Sequence, residues 1–502
     1  MGLQPYNQSV GLFTDLYQLS MSYGYWKAGL EHKEAVFQLF FRRAPFQGGF
    51  TVTAGLEAAI NFIENFHFDS SDLSYLASLE NPEGAPAFPS DFLEYLSKMR
   101  FSCHLDAIPE GTLVFPYEPL LRIQGPLIQC QILESPLLNL INFPTLVATK
   151  AARMRVAAHN DPILEFGLRR AQGFDGSLTA SRAAYIGGCD ATSNVLAGKL
   201  FGIPVKGTHS HSWVMVFDDE LEAFKTLAQS MPANSLFLVD TYDSLEGVKK
   251  AIQVGQWLKS QGKTFHGIRL DSGDLAYLSH TSRKMLDEAG FSQAVIVASN
   301  ELDETQISEL KYQKAPIGVW GVGTQLVTSY DYPALDGVYK LSALRDPEGP
   351  WKYKLKLSEQ MIKISNPGIL QVRRFRNTSS SPIADMIYDI NMPVSPEPCL
   401  INLKDSTEQI VLKKGLQSEE LLVPIFRQGK CVYQLPKLAK IRESTLQALE
   451  KFPKHSKLLK HPCPYLVGME KSLYAYKSQV VNHIRHQICQ DSLFTKKGIK
   501  EE

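Results

Sequence analysis

The chain has 502 residues, of which 44% are hydrophobic and 21% are charged, a composition typical of a globular protein with two or three domains. Lysine plus arginine equals aspartate plus glutamate at 52 each, so no global charge favours nucleic acid or an anionic membrane as a partner. Seven widely spaced cysteines without a CxxC pair argue against a disulfide framework, and the N-terminus has no signal-sequence pattern, so we expect a cytoplasmic protein.

The N-terminal region, residues 1–136, is predicted to mix helices with β-strands. A first helix near residue 20 would carry an aromatic face, and this face would bury Tyr17 unless the residue has a functional role. Residues 112–133 carry β-branched and aromatic residues between Gly and Pro breaks, as antiparallel strands often do. The apolar stretch 127–147 contains an acidic residue and two prolines, so it is expected to be core rather than a membrane span.

The central region, residues 137–340, alternates short apolar runs with segments of helical length. Seven runs are candidate strands: 163–166, 184–187, 204–206, 236–239, 265–270, 294–298 and 317–320. This alternation predicts parallel strands joined by crossover helices, and seven such units predict an irregular parallel α/β barrel. Three of the connecting helices are expected within 244–262, 275–289 and 303–312.

The last region, residues 341–502, changes texture again. Residues 353–375 have the pattern of antiparallel strands, and they are expected to join N-terminal segments in a second, β-rich domain. The remaining residues form a C-terminal extension in which we identify no catalytic cluster.

Small and polar clusters follow the candidate strands. They are FGLRR at 166–170, GGCD at 187–190, GT at 207–208, DTYD at 240–243, RLDSGD at 269–274, SNE at 299–301 and GVGT at 321–324. Because the C-terminal ends of parallel strands form one rim, these clusters are expected to converge. Glycine turns offer N–H groups to phosphate, and acidic pairs hold ribose hydroxyls or phosphate-bound magnesium, so a phosphorylated sugar fits the rim.

Several rim residues have a second, structural interpretation. We expect Asp240 and Asp271 to bind a ligand rather than cap helices, whereas the two roles are equally good for Asp243. Arg169 suits carboxylate or phosphate recognition, although an ion pair with Glu165 is an alternative.

The hexapeptide GTHSHS at 207–212 brings two imidazoles close together. A histidine can be a metal ligand, a proton shuttle or a phosphoryl acceptor. One alternative is therefore a metal-dependent hydrolase, in which His209, His211 and His266 bind zinc with an aspartate.

Taken together, these clusters resemble the nicotinate phosphoribosyltransferase family, which has the type II phosphoribosyltransferase fold. Matching phrases include TDLYQLSMSYGYW at 14–26, FFRRAPF at 40–46, EFGLRRAQGFDG at 165–176, SRAAYIGGCDATSN at 181–194, GTHSH at 207–211, LVDTYDS at 238–244, IRLDSGDL at 268–275, SNELDE at 299–304 and GVGTQLVTSYDYPALDGVYKL at 321–341. The resemblance covers roughly the first two thirds of the chain, and it is specific because long phrases match.

The resemblance implies transfer of phosphoribose from 5-phosphoribosyl 1-diphosphate to nicotinate, as the first step of NAD synthesis from nicotinate. It also implies coupling to ATP hydrolysis, which makes the enzyme a ligase by class. The family's Thr-x-x-His phrase falls on Thr208 and His211, so His211 would carry a phosphohistidine and His209 is expected to be a bystander. No metal is expected to bind tightly, since Mg²⁺ would arrive with the diphosphate.

The resemblance also assigns roles to the remaining site residues. Asp240, Asp271 and Arg269 match positions that hold the sugar phosphate, and Gly323 with Thr324 matches a phosphate-binding turn. Nicotinate would stack between Phe166 and a Tyr17 from the second subunit of a homodimer with shared active sites. Arg169 and Arg269 are the candidates for its carboxylate.

Two changes of substrate remain open. Nicotinamide would need a partner for its amide, for which Asp190 is a candidate. Quinolinate has a second carboxylate and would need a more basic pocket.

Overall fold

The computed structural model describes residues 9–358, 360, 363–403 and 405–497, with side chains described up to residue 488. The first eight residues and the Cys489 side chain, on which the expected compartment partly depends, lie outside the described residues. Within the described ranges no helix is long and apolar enough to cross a membrane.

The N-terminal region mixes helices and strands as predicted. Its elements are α1 (Leu16–Lys27), β1 (Glu34–Phe40), β2 (Thr51–Val52), α2 (Leu56–Glu64), α3 (Ser70–Ala77), α4 (Ser90–Lys98), β3 (His104–Ala107), β4 (Leu113–Val114), β5 (Leu121–Pro126), α5 (Leu127–Ile132) and α6 (Glu134–Ala158). The strand pattern predicted for 112–133 is wrong from Leu127 onward, where α5 begins. Pro126 precedes it, and a proline cannot donate to a strand ladder but suits a helix start.

The central region forms one parallel sheet with crossover helices. Its elements are β6 (Ile163–Glu165), α7 (Gly173–Gly187), β7 (Ala191–Thr192), α8 (Val195–Phe201), α9 (His211–Met215), α10 (Glu220–Ser230), β8 (Leu236–Leu238), α11 (Ser244–Ser260), β9 (Gly267–Leu270), α12 (Leu275–Glu288), β10 (Val295–Ser299), α13 (Glu304–Tyr312), β11 (Val319–Val322) and α14 (Thr324–Val327). The strand order is β7-β6-β11-β10-β9-β8, and all five pairings are parallel.

Two of the seven candidate strands are not strands of this sheet. Residues 184–187 form the last turn of α7, which packs on α6 and ends at Gly188 with a φ of 119°. The short apolar run looked like a strand because its helical period is visible only over the whole of α7. In 204–206, only Val205 forms an isolated parallel bridge, to Thr192.

The predicted helices of the central region are confirmed, and their ends have local causes. Asp243, Asp274 and Asp303 cap α11, α12 and α13 by accepting backbone N–H groups. Gly262 and Gly290 follow two of these helices with φ of 68° and 82°, values that favour glycine.

The last region is mainly β-structure. Its elements are β12 (Val338–Arg345), β13 (Lys352–Tyr353), β14 (Leu370–Arg376), β15 (Pro382–Asp389), β16 (Cys399–Asn402), β17 (Gln409–Val411), β18 (Gln417–Glu420), β19 (Val423–Arg427), β20 (Lys430–Cys431), α15 (Leu438–Lys451), β21 (Val467–Glu470) and α16 (Lys471–Lys497). A seven-stranded sheet of order β13-β12-β1-β5-β3-β19-β20 joins strands from both sides of the parallel sheet. The predicted β-rich domain is thereby confirmed, whereas closure into a barrel and the three domain boundaries stay predictions.

Candidate active site

Most of the predicted site residues lie at the carboxyl ends of the parallel strands. Phe166 follows β6, Asp240 follows β8 and Asp271 follows β9, while Thr324 begins α14 directly after β11 and Gly323. Thr208 and His211 belong to the loop that runs from Val205 into α9. Parallel strands bring these ends to one edge, and the contacts below show which residues meet there.

Arg269 is the centre of the cluster. Its Nε donates to Ser299 Oγ at 2.7 Å, its Nη1 to Thr208 Oγ1 at 2.9 Å and its Nη2 to Asp271 Oδ1 at 2.7 Å. The guanidinium also lies 5.5 Å from the ring centroid of Phe166. One planar cation therefore holds residues from four separate segments in fixed relative positions.

Asp271 is the acidic partner of this cation. Burial raises the pKa of Asp271, but the Ser299 hydroxyl and the Arg269 guanidinium lower the pKa more, so that it ends below its ordinary value. The carboxylate is therefore ionised at neutral pH. Sequence reasoning missed the role of Ser299, although the residue lies in one of the polar clusters.

Asp240 binds the turn after β9 and does not cap a helix. Its Oδ2 accepts from the Asp271 backbone N–H at 2.9 Å and from Ser272 Oγ at 2.6 Å. Its Oδ1 is buried and has no hydrogen-bond partner in the described structure. A buried carboxylate oxygen in that state is costly unless a donor or a cation approaches it, which fits a ligand-binding role.

His211 begins α9 and faces two polar partners. Its Nδ1 lies 3.3 Å from Thr241 Oγ1, and its Nε2 lies 3.7 Å from Asp271 Oδ2. The side chain is 40% exposed, so a solute can reach the ring. Thr241 was not predicted as a site residue, although it directly follows Asp240.

The turns around β10 and β11 have backbone that depends on residue type. A Cβ on Gly321 would lie 2.9 Å from the Phe166 ring, so only glycine lets this ring lie against β11. Asn300 and Glu301 have φ of 121° and 43°, and Glu301 accepts a hydrogen bond from Thr324 Oγ1 at 3.1 Å. Consecutive residues held in this strained region are typical of functional sites.

Comparison with known proteins identifies the family. Models of the nicotinate phosphoribosyltransferase N-terminal domain, family and C-terminal domain match residues 12–142, 162–346 and 370–477. Nicotinate phosphoribosyltransferase of Bacillus subtilis is 42% identical over 96% of this chain and 97% of the relative, and the Homo sapiens protein is 34% identical over 92% and 95%. This chain belongs to the nicotinate phosphoribosyltransferase family. The family match extends into the last third, beyond the phrases that carried the resemblance.

The solved structures agree with this family. The crystal structure of human nicotinic acid phosphoribosyltransferase has a TM-score of 0.80 to this chain at 32% identity, and the match covers 93% of this chain and 100% of that one. The mixed α/β fold described above is therefore the fold of a family member.

Two residues that the family resemblance assigns to nicotinate lie apart from the cluster. Tyr17 lies on α1 with 48% of its surface exposed, so the interpretation of a buried aromatic face is wrong for this residue. Its surroundings include Glu134 and Ser135 at the start of α6. Arg169 is exposed, and it forms no ion pair with Glu165, whose buried carboxylate accepts from the hydroxyls of Ser181 and Thr192.

Asp190 lies at the opposite end of the sheet. It precedes β7, its carboxylate accepts from the Ile163 N–H at 2.8 Å, and it pairs with Arg155 and Arg442. The expectation that GGCD at 187–190 joins the rim is therefore wrong, because 184–187 is helical and the strand starts later. Asp190 is not available to hold a nicotinamide amide in a family-type pocket.

The three histidines of the zinc alternative do not converge. His266 precedes β9 and its Nδ1 contacts Ser235 Oγ at 2.9 Å, while Nε2 of His209 accepts from the Leu238 N–H at 3.0 Å. Among the described residues, no group of three or more His, Cys, Asp or Glu side chains is arranged to hold a metal ion.

Proposed function

We propose that this chain transfers the 5-phosphoribosyl group of 5-phosphoribosyl 1-diphosphate to the ring nitrogen of nicotinate, giving nicotinate mononucleotide and diphosphate. The nitrogen lone pair forms a bond to ribose C1 as the bond from C1 to the diphosphate oxygen breaks. The observation that carries the proposal is Arg269, which ties Phe166, Thr208 and Asp271 into one cluster in a member of this family. That cluster combines an aromatic face with charged groups, as a pyridine and a sugar phosphate require.

The sugar phosphate would be held by Asp240, Asp271 and the turn at Gly323 and Thr324. The buried, unpartnered Oδ1 of Asp240 suits a cation or a hydroxyl donor, so the residues fit magnesium that arrives with the substrate. Bound Mg²⁺ would supply positive charge that stabilises the departing diphosphate. A Cβ on Gly323 would have only the Phe166 carbonyl as a neighbour, at 3.6 Å, so there is room for a phosphate at this turn.

Nicotinate would stack on Phe166, with its carboxylate bound by arginine. Arg269 uses three of its five N–H donors within the protein and keeps two for a ligand. Arg169 is exposed, and no contact within the described structure occupies its guanidinium. Both therefore remain candidates. Since Asp190 is engaged elsewhere, the anionic substrate is favoured over nicotinamide.

We propose that ATP is hydrolysed in the same cycle through a phosphohistidine at His211, giving ADP and phosphate. A carboxylate beside Nε2 favours the proton on that nitrogen, which leaves Nδ1 with a lone pair. Nδ1 attacks the γ-phosphorus as the bond to the ADP oxygen breaks, and water later releases phosphate. The dianion on His211 would then lie beside Asp271 and Thr208, where it can alter affinity for substrates and products.

We also propose a cytoplasmic homodimer with shared active sites. Phe13, Leu16, Tyr17 and Met21 are exposed by 39–61% on one side of α1 and the segment before it, which is an unusual apolar face for a solvated helix. Seating this face on the partner would bring Tyr17 to the other side of nicotinate from Phe166.

The test supplies purified protein with 5-phosphoribosyl 1-diphosphate and Mg²⁺, and with nicotinate, nicotinamide or quinolinate, each with and without ATP. Mononucleotide is measured by chromatography. We expect product with nicotinate, faster with ATP, and ADP formation that depends on the presence of the other substrates. Absence of product from nicotinate under every condition would overturn the proposal.

A further inference from the structure

We infer that His209 is a positioning residue that fixes the loop carrying Thr208 and His211 against strand β8. Its catalytic consequence rests on the proposed function, but its geometry does not. Nε2 of His209 lies 3.0 Å from the backbone nitrogen of Leu238, whose N–H donates to the ring. The sequence had offered no role for this histidine.

The Leu238 N–H lies at an open edge of the parallel sheet. Strand β8 is the last strand in the sheet order, and its other edge pairs with β9, where the Val239 N–H donates to the Arg269 carbonyl at 3.2 Å. Successive N–H groups of a strand point to opposite sides, so Leu238 donates away from β9. Leu238 is 1% exposed, and an unpaired N–H there would be costly. The imidazole takes the place of the missing neighbouring strand.

This bond requires one protonation state of the ring. Nε2 can accept only when it carries no proton, and Nδ1 lies 3.2 Å from the Ser210 carbonyl, to which its N–H donates. Burial lowers the pKa of His209, which favours the neutral form at neutral pH. His209 is thus a neutral anchor, whereas His211 two residues later is open to solvent and faces Asp271.

The loop is held at two neighbouring points. Thr208 Oγ1 accepts from Arg269 on β9, and His209 binds β8. His211 follows by two residues and depends on both anchors for its approach to Thr241 and Asp271. Loss of the His209 anchor would release the reactive ring from these partners while the nicotinate face at Phe166 stays in place.

The experiment compares His209→Leu, which keeps apolar volume without an acceptor, with His209→Gln, whose amide oxygen can occupy the position of Nε2. His280→Leu is the matched control, because His280 lies exposed on α12. We expect His209→Leu to slow ATP-dependent phosphorylation of His211 about tenfold or more, and His209→Gln to recover it to within about threefold of the parent. The KM for nicotinate should change little in either variant, and His280→Leu should match the parent.

Hydrogen exchange of the Leu238 amide reads the anchor directly. Exchange should be faster in His209→Leu and slow again in His209→Gln. Unchanged exchange and an unchanged phosphorylation rate in His209→Leu would overturn the inference, as would equal phosphorylation defects in the two variants. If the parent makes neither phosphoenzyme nor mononucleotide, the proposed function fails, and amide exchange still decides the positioning role. A third readout needs no variant: NMR of the His209 ring should show the Nδ1–H tautomer, and a proton on Nε2 at neutral pH would refute the bond.

Discussion

Arg269→Lys tests whether the planar guanidinium organises the active site. Arginine reaches Ser299, Thr208 and Asp271 with three different nitrogens. A lysine has one nitrogen on its side chain, which can reach Asp271 and at most one hydroxyl. The substitution keeps the charge, so any loss reports the lost geometry rather than the lost charge.

The expected cost follows from the contacts that lysine cannot replace. A hydrogen bond to a charged group contributes about 1.5–3 kcal/mol, and the contact with the Phe166 ring adds about 0.5–1 kcal/mol. The side chains of Arg269 and Asp271 are 14% and 28% exposed, so solvent weakens these terms and their lower limits apply. With two bonds lost or weakened, the transition state should lose about 3 kcal/mol, which lowers kcat/KM by about two orders of magnitude.

The assay is the steady-state rate of nicotinate mononucleotide formation, with Tm measured alongside. Arg283→Lys is a matched control, because Arg283 on α12 also has three partners: Asp287 and the carbonyls of Phe291 and Ala294. The control should lose stability and keep kcat/KM within about twofold of the parent. The reasoning is refuted if Arg269→Lys keeps kcat/KM within about threefold, or if Arg283→Lys is equally impaired.

Three further predictions concern other parts of the chain. His211→Asn should abolish phosphoenzyme and ATP-coupled turnover but leave some uncoupled synthesis, measured with labelled ATP, whereas the exposed-site control His280→Asn should behave as the parent; full coupling in His211→Asn would exclude the phosphohistidine. Co-expressed Tyr17→Ala and His211→Asn subunits should regain about a quarter of the parent's ATP-coupled turnover, because only mixed dimers contain one intact shared site; no recovery in a mixed dimer would contradict a shared site. Burial lowers the pKa of Lys477 to about 8. The unfolded chain therefore binds one more proton than the folded chain between pH 8 and about 10.4, so the free energy of unfolding should rise with pH by up to about 1.4 kcal/mol per unit there, and Lys477→Met should remove this part of the slope in urea titrations; an identical slope in both proteins would refute the assignment.

The sequence predicted the elements whose signals are local. Asp243, Asp274 and Asp303 each start a helix by bonding the backbone a few residues on, so the helices were recognisable without tertiary contacts. The run 184–187 was misassigned because four apolar residues fit a strand and a buried helix equally well. Packing on α6 decided between them, and this packing is invisible in the run itself.

Asp190 shows the same limit at the candidate site. Its cluster has the composition of the rim, but the later start of β7 moves it to the other end of the sheet, where Arg155 and Arg442 bind it. Arg442 is 252 residues away along the chain, so no local pattern could have indicated the pairing.

The sequence by itself determined which short stretches carry the chemistry, because Asp240, Asp271, His211 and Phe166 lie in phrases that are recognisable residue by residue. The tertiary structure decided what each side chain does. Arg269 meets Thr208 across 61 residues and His209 meets Leu238 across 29, and both pairs exist only because the parallel strand order brings their strand ends together. Local propensity depends on neighbours in the chain, whereas burial and hydrogen bonding across strand ends depend on the whole sheet, and this difference separates a reactive histidine from an anchoring one.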